Sequence, residues 1–600
     1  MSDTAPLEEP ADRAAERPRT PTVRGWFGHP AWARRVDAAG LPPEARDLVL
    51  LTVQRTKLRP KEKLAVADEL IAHFHDADRQ GVEPADAVRD FGNPAVAAKL
   101  IRRAKKRNRG FIWTVRRWFY GCCVMLLGFS LLLSLRFWMG EPTVRIDYLA
   151  RLNAAAAALP REQRAWPEFQ EAMGFRGLST EENNLFWTYA DTAPSGHADR
   201  AYEAEQVRAV LEERPAALDP LRESTRTATL GVVHELIPPV SGSGDPLEGA
   251  LIHVTFNEIE TLRHAATLLA LDASVAAEAG EAERALADHR SMARLADWAD
   301  ETPTLLTGMT AIWLEDRLRK ALAATLEEAP ELFEPGQLAD LQRLLSSGPR
   351  LDAQNLIGER LWFADLLQRM FTENGAGGGR LTPQGARILP MLVSVPSLES
   401  FGKSDAGLLL AGGRRFAASV TRALQLDRTE LQRAYDGIAK AAQADLARPL
   451  WSGWGARAEQ ALAPLRLETD DSAGARLVLE MVGPLLNVRR EAFRIGAQRD
   501  AAVLALALHR HRLATGGFPD PASGYAALVP AYLDEVPLDP LHGTPMRWTL
   551  RDGQPVVYSL GADGDDDGGV PPADGLGGND AAFAPPEEAV DGDWVAWPPG

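Results

Sequence analysis

Residues 118–135 read WFYGCCVMLLGFSLLLSL, eighteen consecutive positions without a charge in a chain of 600. A helix needs about 20 mostly apolar residues to cross a bilayer, and Arg136 at the end of this run has a stem long enough to carry its charge back to the interface. Trp113, Trp118, Phe119, Tyr120, Phe137 and Trp138 lie at the two ends, where amphipathic rings favour the headgroup region. A buried core helix would not need such unequal flanks. Residues 101–117, IRRAKKRNRGFIWTVRR, hold eight Lys/Arg and no acid. The excess of positive charge places that side in the cytoplasm. The expectation is one transmembrane helix over 113–139, a small part inside and a large part, 140–600, outside. The apolar run begins too far from the start for a cleaved signal peptide, and no small-residue cleavage pattern follows it.

Charge divides the same way. Residues 1–117 carry a net +7, which leaves −24 for the rest of a chain whose total is −17. So acidic an outer part argues against nucleic acid and against docking on anionic lipid. The two cysteines, Cys122 and Cys123, both sit in the apolar run, so neither a disulfide framework nor a cysteine zinc site arises elsewhere. Six hundred residues exceed what one core supports, and Ala, Leu, Arg and Glu dominate, so several mainly helical domains are expected.

Residues 1–40 are rich in Pro, Ala, Arg and Glu without periodicity and read as a disordered tail. From Leu41 the pattern is helical. Leu64, Ala67, Leu70, Ile71 and Phe74 share one face; Pro84 opens a short helix that Gly92 ends; Asn93-Pro94 starts another. The run ending DAVRDFGNP (86–94) and its following helix resemble the HAAS domain, a small helical module on the cytoplasmic side of bacterial membrane proteins. That resemblance covers 41–106 within a domain drawn at 41–108, and it implies signalling or protein contact. His73 and His75 lie two apart on a helix, so they do not face one another and read as surface histidines.

Residues 140–484 read as many amphipathic helices, an irregular bundle or solenoid. Examples are Tyr148–Leu159, Tyr202–Glu213, Asn257–Ala279, Glu281–Trp298, Gly308–Leu326 and Pro335–Leu345, with breaks at Pro160, Pro239–Asp245, Pro303, Pro349 and Asn374–Gly379. The pair around Gly280 forms a helical hairpin that resembles a single TPR-type unit, without a 34-residue repetition along the chain. No nucleophile elbow, zinc-helix motif, Walker loop or dinucleotide fingerprint occurs here. His234-Glu235 stands alone. The glycines of 374–379 follow no strand and precede no Lys-Ser/Thr, so they read as a loop, not a phosphate cradle.

The C-terminal part, 485–600, changes character. A long helix over 485–515 leads to Gly517-Phe518-Pro519, a short helix at Tyr525–Leu528, a Pro-rich loop, and two strands at Pro545–Leu550 and Pro555–Leu560 joined through Asp552-Gly553. Four aspartates then fall within five positions, Asp563, Asp565, Asp566 and Asp567. Charges so close repel, and either water or a cation must compensate them. The spacing Asp563-x-Asp565-x-Asp567-Gly568-x-Val570-x-x-x-Asp574 matches an EF-hand-type calcium loop, although the flanks are not helices.

The same segment resembles the globular domain of the major pseudopilin of type II secretion. The resemblance rests on Gly517, Pro519, Leu528, Tyr532-Leu533, Pro537-x-Asp539-Pro540, Gly543, Pro545, Trp548, Tyr558-Ser559, Gly561, Asp563-Gly564 and Gly568-Gly569. It implies a small α+β module with a structural calcium loop. The expected Ca²⁺ ligands are Asp563, Asp565 and Asp567, with the carbonyl of Leu560 implied by the pseudopilin pattern and Asp574 and Asp580 on the far side. The prepilin N-terminus is missing and the anchor lies far upstream, so processing and packing as a pilin subunit is not expected.

Together these features imply a single-pass protein of a bacterial inner membrane, N-terminus inside. It would act as a non-enzymatic scaffold or signalling protein with protein partners on both sides. An auxiliary component of a type II secretion or pilus-like system is the alternative that the C-terminal module suggests. An extracytoplasmic hydrolase with its site hidden in the helical region is a third.

Overall fold

Proline opens four successive helices of the first unit, Pro43–Arg55, Pro60–Arg79, Pro84–Phe91 and Pro94–Arg107. Its fixed φ suits the first helical position and its missing N–H costs nothing there. The turns between use glycine where a left-handed backbone is required, at Gly81 (φ 77°) and Gly92 (φ 74°). Val49, Val53, Val66, Leu70 and Phe74 form the core of this unit. In this computed structural model the described residues are 30–599, except 108–110, 176, 193–199, 239–243, 349–355, 393–426, 454–456, 458–459, 464–472, 574–580 and 586–587. The fold is mainly α, as expected. It divides into two units, Met1–Phe129 and Ser130–Gly600.

Residues 31–37, which the sequence suggests belong to the disordered tail, form the helix Ala31–Asp37. Trp32, Ala33 and Val36 are buried in the core of the first unit, and that burial stabilises a segment too short to be helical alone. The ring of His73 lies edge-on to Phe74, with centroids 5.5 Å apart, and tilted against Phe91 at 6.2 Å.

The apolar run lies in one helix, Phe111–Trp138, of 28 residues. At 1.5 Å per residue it is about 42 Å long, more than the hydrocarbon thickness of a bilayer. Its stretch Trp118–Trp138 is long and apolar enough to cross a membrane and is only 6% buried, unlike a core helix.

In the second unit the helical hairpin forms as the sequence suggests, Asn257–Glu278 and Ala282–Ala299 turning at Gly280 (φ 73°). Leu305–Glu328 packs beside both. The expected helix Tyr148–Leu159 is divided into Tyr148–Leu152 and Ala154–Ala158. Asn153 at the break turns its amide to the backbone of His234, donating to its carbonyl (2.8 Å) and accepting from its N–H (2.9 Å). In the glycine-rich loop at 374–379, Asn374 Oδ1 accepts from the amides of Ala376 (2.9 Å) and Gly378 (3.1 Å), so those N–H groups are already committed.

The helix Ala473–Thr515, 43 residues, runs through two apolar cores. Leu477, Val478, Val482 and Ile495 join Phe363, Leu367, Tyr435 and Ile438 in one. Ala501, Leu504, Ala505 and Leu508 join Phe169, Phe186, Trp298 and Leu314 in the other, together with Val557, Phe583, Trp594 and Trp597. The boundary drawn at 484/485 therefore falls inside a helix, and the C-terminal sheet closes a core that the helical region also fills.

That sheet has three antiparallel strands in the order β1 (Arg547–Arg551), β2 (Gln554–Ser559), β3 (Trp594–Trp597). The hairpin turn carries Asp552 at φ 52° and Gly553 at φ 75°, the pair of positive values that a two-residue turn matched to strand twist requires. The short helix expected at Tyr525–Leu528 is instead a series of turns over 524–532, and Pro530 within it has no N–H to donate to a regular helix.

Candidate metal centre

Two glycines decide the geometry of the acidic loop. Gly561 follows β2 with φ 69°, and a Cβ there would lie 2.5 Å from the carbonyl oxygen of Gly592. Gly592, at φ 128°, precedes β3. A side chain at Gly561 would force the two strand ends apart, and one at Gly592 would run into the backbone of Pro572. The contact is fastened by the Gly592 N–H donating to Asp563 Oδ2 at 2.9 Å. It brings Asp591, far along the chain, next to the aspartates of the loop.

Beneath the loop, Asp539 holds the end of β2. It is 1% exposed and accepts from the amides of Leu541 (2.8 Å), His542 (3.3 Å) and Leu560 (3.0 Å) and from the Ser559 hydroxyl (2.9 Å). His542 Nε2 sits 2.7 Å from the Gly561 carbonyl. Asp539→Asn puts an amide group among these donors in place of one acceptor. It is expected to cost about 2 kcal/mol, read as a lower denaturation midpoint of the full chain in detergent micelles.

The loop sorts its carboxylates. Asp566 turns toward the sheet, paired with Arg547 and accepting from Tyr558 Oη (3.1 Å) and its own turn amide at Gly568 (3.1 Å). Asp593 is buried below the loop, accepts from the Gly569 amide (2.7 Å), and has its acid pushed up to about 6 by desolvation first and then by neighbouring aspartates. Asp563, Asp565, Asp567 and Asp591 turn the other way and offer one oxygen each, all within 4.8 Å of one another. Among the described residues this is the group of such side chains that converges on one point. Partial desolvation and then the charges of Asp565, Asp591, Asp563 and Asp566 raise the acid of the exposed Asp567 above the ordinary range. Mutual repulsion is what a cation placed among them would relieve.

Of the six expected ligands, Asp563, Asp565 and Asp567 come together. Leu560 lies just before the loop with its amide held by Asp539; Asp574 and Asp580 lie outside the described residues. Asp591 was not anticipated, because a twelve-residue loop template stops short of it. Its signal is the Asp591-Gly592-Asp593 triplet ahead of an aromatic strand. An all-oxygen carboxylate set without nitrogen or sulfur fits a hard cation, and Ca²⁺, tolerant of irregular geometry, fits it better than Mg²⁺.

Comparisons of the chain with protein-family models, with curated proteins and with solved structures give no significant match. The HAAS and pseudopilin resemblances therefore rest on their motifs.

Proposed function

We propose that the chain is a single-pass membrane protein acting as a non-enzymatic envelope scaffold or signalling protein, with a structural Ca²⁺ tying its C-terminal loop to the sheet. The observation that carries this is the apolar helix, whose stretch Trp118–Trp138 stays exposed along the protein. Its basic flank supports an inside N-terminus. Residues 140–600 then lie outside the cytoplasm, where calcium sites of outer modules work with dissociation constants of about 10⁻⁴–10⁻³ M. Bound there, Ca²⁺ would be held by Asp563, Asp565, Asp567 and Asp591. It would supply cohesion between the β2 and β3 ends, contributing folding free energy in place of chemistry.

Topology is tested by single cysteines at the exposed positions Gln80 and Gln163, each in a Cys122→Ser/Cys123→Ser background. A membrane-impermeant maleimide added to intact spheroplasts is expected to label Gln163→Cys, and to label Gln80→Cys only after lysis. The reverse pattern, or both sites labelled alike, contradicts the anchored arrangement.

A further inference from the structure

The segment that follows Leu230 runs extended past the start of the helix Asn257–Glu278, and between them lies a cavity of about 210 Å³. Trp166, Gln170, His234, Glu235, Asn257 and Glu258 are among its walls. Glu258 is 3% exposed, yet neither of its carboxylate oxygens receives a hydrogen bond from another residue. Desolvation lifts its acid to about 7, and its own backbone amide is the one group that favours the charged form. His234 does not compensate it. Its Nδ1, 3.7 Å from Glu258 Oε1, faces the Thr255 carbonyl at 3.3 Å, and its Nε2 faces the Thr302 hydroxyl at 3.0 Å. Burial lowers its pKa, which works against a charged ring beside Glu258. The Asn153 amide, bonded to both backbone groups of residue 234, fixes this wall.

A buried carboxylate left without donors is costly, and a group that brings both positive charge and N–H donors removes that cost. Both ring nitrogens of His234 are committed, which disfavours a transition metal, and Glu235 and Glu258 disfavour an anion. The indole of Trp166 adds an aromatic surface of the kind that attracts cations. We propose that this cavity is a binding site for a small organic ligand bearing a primary ammonium group, with Glu258 as its counter-ion and the Trp166 ring alongside. The site is remote in sequence from the acidic loop and needs neither calcium nor an enzymatic step. It would give the outer region a means of sensing a small amine.

The test is calorimetric titration of the full chain in detergent micelles at pH 8, with ethylammonium as probe and tetramethylammonium, which has no N–H, as control. Ethylammonium is expected to bind, with tetramethylammonium at least about tenfold weaker and the near-isosteric Glu258→Gln variant weakened by about tenfold or more. Should that variant fail to fold, Trp166→Leu is expected to weaken ethylammonium several-fold. No binding of ethylammonium by the unaltered chain, equal binding of the two cations, or unchanged binding by Glu258→Gln or Trp166→Leu would overturn the assignment.

Discussion

Arg499→Ala is expected to lower the stability of the second unit by about 3–5 kcal/mol. Arg499 on the helix Ala473–Thr515 meets Glu315 on Leu305–Glu328 through two parallel bonds, Nε to Oε1 at 2.7 Å and Nη2 to Oε2 at 2.6 Å. Both side chains are almost fully buried, 3% and 2% exposed. Burial works against the charge on Arg499, but the hydrogen bonds and charge of Glu315 outweigh it and raise its pKa. Truncating the arginine leaves a carboxylate in the interior without its fork of donors, and the loss of that partner, more than the loss of packing, sets the size of the effect. Next to it Arg319 Nη1 donates to Gln498 at 2.9 Å, so the disturbance reaches a second cross-helix contact. The double replacement Arg499→Met/Glu315→Leu removes both charges and is expected to recover most of the stability. Denaturant midpoints of the full chain in micelles measure this. A loss under about 1 kcal/mol for Arg499→Ala would mean that water reaches the pair.

Glu258 makes the other large prediction, a dependence of stability on pH. Desolvation moves its acid from 4.5 to about 7 in the folded chain. The native state therefore holds this proton more tightly than the unfolded state does. Its contribution is fully present below pH 4.5 and is lost as pH rises through about 7. The gap corresponds to roughly 3 kcal/mol. Glu258→Gln cannot ionise, so its stability relative to the unaltered chain should rise by that amount between pH 4.5 and pH 8. Amine-free buffers, acetate at the acid end and phosphate above it, are required, since an amine buffer would offer the carboxylate a counter-ion and flatten the difference. A difference that does not change with pH would show the carboxylate to be hydrated.

Features governed by local chemistry were legible in the sequence. The apolar helix, the proline-led helices of the first unit, the Gly280 hairpin and the Asp552-Gly553 turn each follow from residues adjacent in the chain. What escaped depends on distant partners. Trp594–Trp597 has no polar-apolar alternation because all four residues are buried, so nothing in its pattern announces a strand. Ala31–Asp37 is helical through the burial of Trp32 and Val36 against another helix. Asp591 joins the loop aspartates because Gly561 lets two strand ends approach. Glu258 is one of 83 acidic residues, and nothing in its neighbours marks it as buried and without donors.

The most direct measurement is a calcium titration of the full chain in micelles, by calorimetry and by melting with Ca²⁺ or with EDTA, repeated on Asp563→Ala/Asp565→Ala and on Asp591→Ala. About one equivalent of Ca²⁺ should bind and raise the melting temperature, and both variants should lose the heat and the shift. The loss in Asp591→Ala would place the aspartate that precedes β3 in the same site as the loop. No heat and no shift in the unaltered chain would contradict the calcium assignment and leave the four aspartates compensated by water.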